Sequence, residues 1–255
     1  MEYSDFNCYI CITRPHNDQI KYLLLSYRLI MILNVLLTIA AYLLGSIPSA
    51  VWIGKRFYGT DVREHGSGNA GATNTFRVLG RKAGLIVFAI DFVKGFVAVS
   101  LAYASSFTDG TPQMWNMKFV LTAAVVLGHI FPVFAGFRGG KGVATLAGAV
   151  MAVYPPAVLL CMVTFFIVLA ISHYVSLSSM VAGVMLPIYE VFVFGQTYIP
   201  LTIFCCAVAL LLVFTHWKNI SRLLKGQENK TYLLKKNRKK ISEEPRKYDK
   251  KPEHF

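Results

Sequence analysis

The chain has 255 residues, of which 55% are hydrophobic and only 15% charged, whereas a soluble domain carries roughly a quarter charged residues. That balance excludes a disordered protein and argues against a soluble enzyme. The net charge of +13 does not describe a nucleic-acid groove either, because 13 of the 26 Lys and Arg residues lie in 216–255 and only 10 in 29–215. A basic tail on an apolar body fits a cytoplasmic membrane surface.

Residues 1–28 read as a mixed, polar N-terminal extension. Its Cys8 and Cys11 form a lone CxxC without a second pair, a poor basis for a zinc or redox role, and Cys161, Cys205 and Cys206 sit in apolar runs as packing residues. The apolar stretch at about 29–54 is long enough to span and lacks a small-residue cleavage site, so it is not a signal peptide. Met31 near its start is a second candidate translation start, which mass spectrometry of the native protein decides.

Further apolar stretches follow at about 83–107, 115–134, 143–154, 157–172, 177–195 and 198–215. Several have the roughly 20 residues that a span requires, and two are short. There is no period-two alternation to support a β-barrel. Lys55, Arg56, Arg63, Arg77, Arg81 and Lys82 place the 55–82 loop on the cytoplasmic side, as they do the basic tail, while the 108–114 loop with Asp109 and no Lys or Arg suits the outside. Parity then requires a break at Pro155-Pro156, where two adjacent prolines interrupt a helix. The expectation is an all-α, polytopic membrane protein with about seven transmembrane or half-spanning helices, N-terminus out and C-terminus in. It comprises one membrane-embedded domain at 29–228 and a solvated basic tail at 229–255.

Three polar, glycine-rich stretches interrupt this body, all on the predicted cytoplasmic side. The first runs from Gly45-Ser46-Ile47-Pro48 to a loop containing Gly66, Ser67, Gly68, Asn69, Gly71, Thr73, Asn74 and Arg77. Its glycines let backbone amides approach a ligand and its short polar side chains add donors, as a phosphate or oxyanion site requires. The second contains His129, Arg138, Gly139, Gly140, Lys141 and Gly142 just before an apolar helix. That construction resembles anion sites at helix N-termini, although the Walker A spacing is absent. In the third, His216-Trp217-Lys218-Asn219 to Glu228, helical spacing would put His216 and Asn219 on one face. An interfacial anchor with Trp217 at the headgroups explains that stretch equally well.

Asp91 and Lys94, three apart inside an apolar span, can neutralise each other as a structural bridge, although intramembrane charges are also default site candidates. Ser176, Ser178 and Ser179 open the segment after His173, where serines commonly cap helices.

The stretches GSGNAGATNTFR, GHIFPVFAGFRGGKGVAT and HWKNISRLLKGQE resemble, in order and separation, the three motifs of the bacterial acyl-phosphate:glycerol-3-phosphate acyltransferase family, over roughly residues 31–228. The resemblance implies a small inner-membrane enzyme that makes lysophosphatidic acid from acyl phosphate and sn-glycerol 3-phosphate, without a metal or other cofactor. It assigns importance to Ser67 and Arg77, glycerol-phosphate binding to Gly139, Gly140 and Gly142 with Lys141, further roles to His216 and Asn219, and a structural role to Glu228. A family serine falls on Ser179. Residues 1–30 and the tail after 229 depart from the family's compact form.

Both substrates carry phosphate, so the site must hold roughly three to four negative charges near neutral pH. Lys141 and Arg77 are the first partners, with Arg63 and Arg138 also available. The base is either His216 or the substrate's own phosphate. The expected partners are acyl phosphate, glycerol 3-phosphate and membrane lipid, with no nucleic acid. A monomer associated with the enzyme that makes acyl phosphate is the expected working state. A transporter for phosphorylated metabolites is the rival reading, weakened by the lack of an internal repeat. The His-x4-Asp signature of acyl-CoA-type acyltransferases is absent.

Overall fold

A computed structural model describes residues 16–231. Among these residues there are ten α-helices and no strand: α1 His16–Gly45, α2 Ser49–Tyr58, α3 Ala72–Val78, α4 Arg81–Ser100, α5 Pro112–Ile130, α6 Val143–Val153, α7 Pro155–Ser172, α8 Val175–Ile188, α9 Ile199–Thr215 and α10 Trp217–Leu224. Five helices are long and apolar enough to cross a membrane. The pair α9 and α10, bent by 59° at His216, makes a sixth span if counted as one, and α6 is a shorter apolar helix. The protein is a polytopic helical membrane protein, and each predicted apolar stretch overlaps one of these helices, except 29–54, which α1 and α2 share.

Two boundaries differ from the sequence expectation. The first helix begins at His16 rather than near residue 29, so Lys21, Arg28 and Met31 all lie within it. Its 30 residues reach about 45 Å, well beyond the roughly 30 Å of a hydrocarbon core. Its far end stops at Gly45, where the Gly-Ser-Ile-Pro sequence turns the chain into the separate α2. Between Val153 and Pro155 the chain does break: Tyr154 leaves helical geometry and the prolines occupy the first positions of α7, where their missing N–H costs nothing. Cys8, Cys11 and nearly all of the basic tail lie outside the described residues.

Helices meet where glycine removes the side chain between them. A Cβ on Gly45 of α1 or Gly128 of α5 would run into the other helix's backbone at Val125 or Tyr42. Gly95 of α4 and Gly148 of α6 meet the backbones at Thr145 and Phe92 in the same way. Such close crossings replace the hydrophobic driving force that lipid does not supply. They enclose a core of small and branched side chains that includes Ala41, Val99, Leu121, Val125, Ala149 and Leu201.

One end of the bundle gathers the polar loops. Arg63 Nη1 donates to the carbonyls of Ala135 (2.8 Å) and Arg138 (3.2 Å), tying the first glycine stretch to the second. Lys141 reaches Asn219, tying the second to the third. The other end holds Asp109 with Lys118, Trp115 against Tyr198, and Gln196 with Tyr154.

Candidate active site

The first loop is built around Asn74, which is 1% exposed. Its Nδ2 donates to the carbonyls of Val62 (2.7 Å) and His65 (3.1 Å), while its Oδ1 accepts from the Ser67 amide at 2.8 Å. This amide is occupied by the loop's own backbone, so Asn74 braces the loop rather than offering a free ligand, a correction to the sequence expectation. Gly66 lies against Asn74 Oδ1 with a left-handed φ of 62°, a position closed to a side chain on both counts. Ser67 and Gly68 are exposed at the crest, with Asn69 half-buried behind them and its Oδ1 beside Gly71. Gly71 caps α3, whose first turn carries half-buried Thr73 and whose last turn carries Arg77.

The second loop presses on the end of α5. The amides of Gly139 and Gly140 donate to the carbonyls of Ile130 (3.1 Å) and His129 (3.2 Å). A Cβ at Gly139 would collide with the His129 carbonyl, and one at Gly140 with its imidazole. Gly142, with φ of 78°, turns the chain into α6. These glycines therefore have a packing reason independent of any ligand. His129 pairs through Nδ1 with Thr145 Oγ1 at 3.0 Å and lies 3.7 Å from Asp91 Oδ1. Asp91 also accepts from Ser49 Oγ and Lys94 Nζ, both at 2.7 Å, and Lys94 donates to the Ile47 carbonyl at 2.9 Å. The predicted Asp91–Lys94 bridge is present.

The third stretch closes the site. His216 sits in the bend before α10, and its Nδ1 donates to the Leu212 carbonyl at 2.7 Å, which leaves the lone pair of the neutral ring on Nε2. Asn219 accepts from Lys141 Nζ through Oδ1 and donates to Glu228 Oε1 at 2.9 Å. Glu228 further accepts from Arg222 Nε at 2.8 Å and from Ser176 Oγ at 3.2 Å. Burial works to raise the Glu228 carboxyl, but these donors outweigh it and hold the group below its ordinary range.

The structure thus brings Lys141, Asn219 and Glu228 together, with Arg77 near enough to Glu228 and Arg222 to feel both charges and His216 near Lys141. Burial, together with the neighbouring Arg222, pulls the Lys141 ammonium down to about 8. Ser179 is not part of this network: it is buried and donates to the Val175 carbonyl of its own helix at 2.9 Å. Ser176, one turn earlier, is the serine that reaches Glu228. Arg63 and Arg138 line a different cavity, beside α2. Sequence reasoning missed Arg222 as a member of the cluster, although its three-residue spacing from Asn219 is the helical signal that pairs them.

These features define a polytopic membrane protein with a cation-rich site where its polar loops converge. The chain belongs to the glycerol-3-phosphate acyltransferase family, which it matches over residues 35–226. It is 45% identical over 197 residues to the glycerol-3-phosphate acyltransferase of Listeria monocytogenes, covering 77% of this chain and 96% of that relative. It is 46% identical over 202 residues to that of Geobacillus kaustophilus, covering 78% and 96%. Its fold matches the crystal structure of PlsY, an integral membrane glycerol 3-phosphate acyltransferase, in the glycerol 3-phosphate form with a TM-score of 0.69 at 39% identity, covering 78% of this chain and 95% of that one. A lysophosphatidic acid form matches with a TM-score of 0.67 at 38% identity, over 77% and 94%.

Proposed function

We propose that this acyltransferase uses acyl phosphate as its donor, converting sn-glycerol 3-phosphate to 1-acyl-sn-glycerol 3-phosphate with release of inorganic phosphate, as the first step of phospholipid synthesis. The observation that carries the reading is a charge imbalance: Lys141, Arg77 and Arg222 surround one carboxylate, Glu228. A half-buried cation excess is costly until an anion arrives, and phosphate-bearing substrates supply that anion. The solved relative has forms named for glycerol 3-phosphate and for lysophosphatidic acid, which supports these two compounds as acceptor and product here.

Lys141 and Arg77 hold the phosphate of the acceptor, with Arg222 held in place by Glu228. The 1-hydroxyl oxygen attacks the acyl carbonyl carbon, and the exposed loop of Ser67, Gly68 and Asn69 supplies donors to the developing oxyanion. The new C–O bond forms as the bond to the phosphate oxygen breaks, and phosphate departs with that electron pair. The hydroxyl proton goes to His216 Nε2, the lone-pair nitrogen left by the Leu212 hydrogen bond. Because the acyl group arrives activated, no covalent acyl-enzyme is needed.

The basic loops support a reading in which the site faces the cytoplasm from a bacterial inner membrane, with the N-terminus outside. The protein purified in lipid, given glycerol 3-phosphate with palmitoyl phosphate or palmitoyl-CoA, is the test. Stoichiometric lysophosphatidate and phosphate from palmitoyl phosphate alone are expected. Turnover with palmitoyl-CoA alone would reject the donor assignment.

A further inference from the structure

A second cationic cavity lies outside this site. It has a volume of about 490 Å³ and opens between α2 and the turn at 133–138. Its walls are of two kinds: Val51, Trp52 and Phe134 are apolar, and Lys55, Arg63 and Arg138 are cationic. The nearby acid is Asp61, which Arg63 grips through Nε at 3.0 Å and Nη2 at 2.7 Å, with Lys55 at 3.4 Å. The Arg63 contact holds the Asp61 carboxyl well below the ordinary carboxylate range. Arg63 is thus spent on Asp61 and on the carbonyls of Ala135 and Arg138, and it also feels the exposed Glu64. The charges within reach of a ligand are the exposed Arg138 and Lys55, the latter touching Asp61 only through its longer 3.4 Å ion pair.

The depth of this cavity identifies its occupant. The turn that forms it directly follows the end of α5, and Tyr42 near the end of α1 donates to the Phe131 carbonyl at 2.9 Å, so the cavity sits where two long apolar helices leave the hydrocarbon. Trp52, Phe131, Phe134 and Phe137 are each at least half exposed there, the aromatic signature of a headgroup layer. Below them α1 and α5 present exposed Ile39, Leu43 and Leu127, apolar surface that suits acyl chains. A soluble anion would use the cations and leave the aromatic wall unexplained. We propose that this cavity binds the headgroup of an anionic membrane phospholipid, with Lys55 and Arg138 on its phosphate and Trp52 and Phe134 against its glycerol and upper acyl carbons.

The test uses the full chain with Trp115→Phe and Trp217→Phe, which leaves Trp52 as reporter, in vesicles containing bromine-labelled phosphatidylglycerol or phosphatidylcholine. Stronger quenching of Trp52 by the anionic lipid is expected, and its half-saturating mole fraction should rise about thirtyfold in Lys55→Gln/Arg138→Gln, which removes two interfacial cations. Native mass spectrometry of the protein with all its tryptophans should show one retained phosphatidylglycerol that this double substitution releases. Equal quenching by the two lipids, or retention unchanged by the substitutions, would overturn the proposal. Displacement by inorganic phosphate would make it a soluble-anion site instead. Displacement by palmitoyl phosphate at turnover concentrations would make it part of the donor site. Either displacement also overturns the assignment, whatever the outcome of the acyl-transfer assay.

Discussion

Two ionic clusters lie within this chain, one buried and one half-buried, and their arithmetic differs. Between the helices, Asp91 faces Lys94, and the remaining bonding capacity is met by Ser49 and by the Ile47 carbonyl, with His129 and Thr145 alongside. That cluster is complete: one acid, one cation and polar neighbours from α2, α4, α5, α6 and the Gly-Ser-Ile-Pro turn. Where the loops converge, Glu228 must answer Lys141, Arg77 and Arg222 together. That cluster is incomplete by its own charges. A balanced buried network holds elements in register, whereas an unbalanced one waits for a ligand.

The sharpest break of this comparison is on the balanced side. Asp91→Ala leaves Lys94 as an uncompensated charge at 5% exposure, and removing one partner of such a pair costs about 3–5 kcal/mol. Thermal unfolding in detergent should show the loss. Combining it with Lys94→Met should restore most of the stability, because no charge then remains to satisfy. If the double variant is as unstable as the single one, the cluster is not a closed pair. Lys141→Met should behave in the opposite way, with stability held or raised while acceptor binding fails.

How far this division was legible from sequence depends on the residue. The apolar stretches and the Pro155-Pro156 break follow from hydropathy and proline chemistry, and both appear in the helix boundaries. The start of α1 at His16 does not follow, because hydropathy reports the lipid-facing part of a helix and no breaker separates Lys21 from the span. The three-residue spacing of Asp91 and Lys94 exposed their pairing in advance. Ser176 and Ser179 were indistinguishable by spacing, since both lie on one face of α8, and only the folded position of Glu228, 52 residues away, selects the first. Asn74 reads as a ligand in a loop of donors, but three backbone groups claim its amide once the loop closes. Sequence displays the donors of a site, whereas the fold decides which of them are already occupied.

On the unbalanced side, His216→Gln keeps a polar side chain but removes the proton acceptor at Nε2. A fall in kcat of about 10²-fold, with the KM for glycerol 3-phosphate little changed, is the expected outcome in steady-state assays. Retention of most of the kcat would transfer the proton to the leaving phosphate and leave His216 to orient the bend at α10. Lys141→Ala should show the converse split. Loss of one charge-assisted contact to the acceptor phosphate is worth about 2 kcal/mol, or about 30-fold in KM, with a smaller change in kcat. An unchanged KM would remove Lys141 from the acceptor site.

The smallest effect is also the most specific to the imbalance, because it comes from the wild-type protein. Burial and Arg222 depress the Lys141 ammonium to about 8, so the lysine is mostly charged at pH 7 and mostly neutral at pH 9. The acceptor's phosphate, whose second ionisation lies near 6, is a dianion across that whole interval and does not contribute to the change. A bound dianion favours the charged ammonium and raises its pKa, so binding below pH 8 needs no proton uptake, and binding above it does. Acceptor affinity is therefore full below about 8 and falls as pH rises, and the KM should increase roughly eightfold between pH 7.5 and 9 for a single group titrating at that pKa. Lys141→Arg supplies the control, since a guanidinium keeps its charge throughout. Whatever its absolute KM, that variant should lose the alkaline rise. If the rise persists with arginine in place, the titrating group is elsewhere, and the depressed lysine is not the feature of the cluster that the substrate reads.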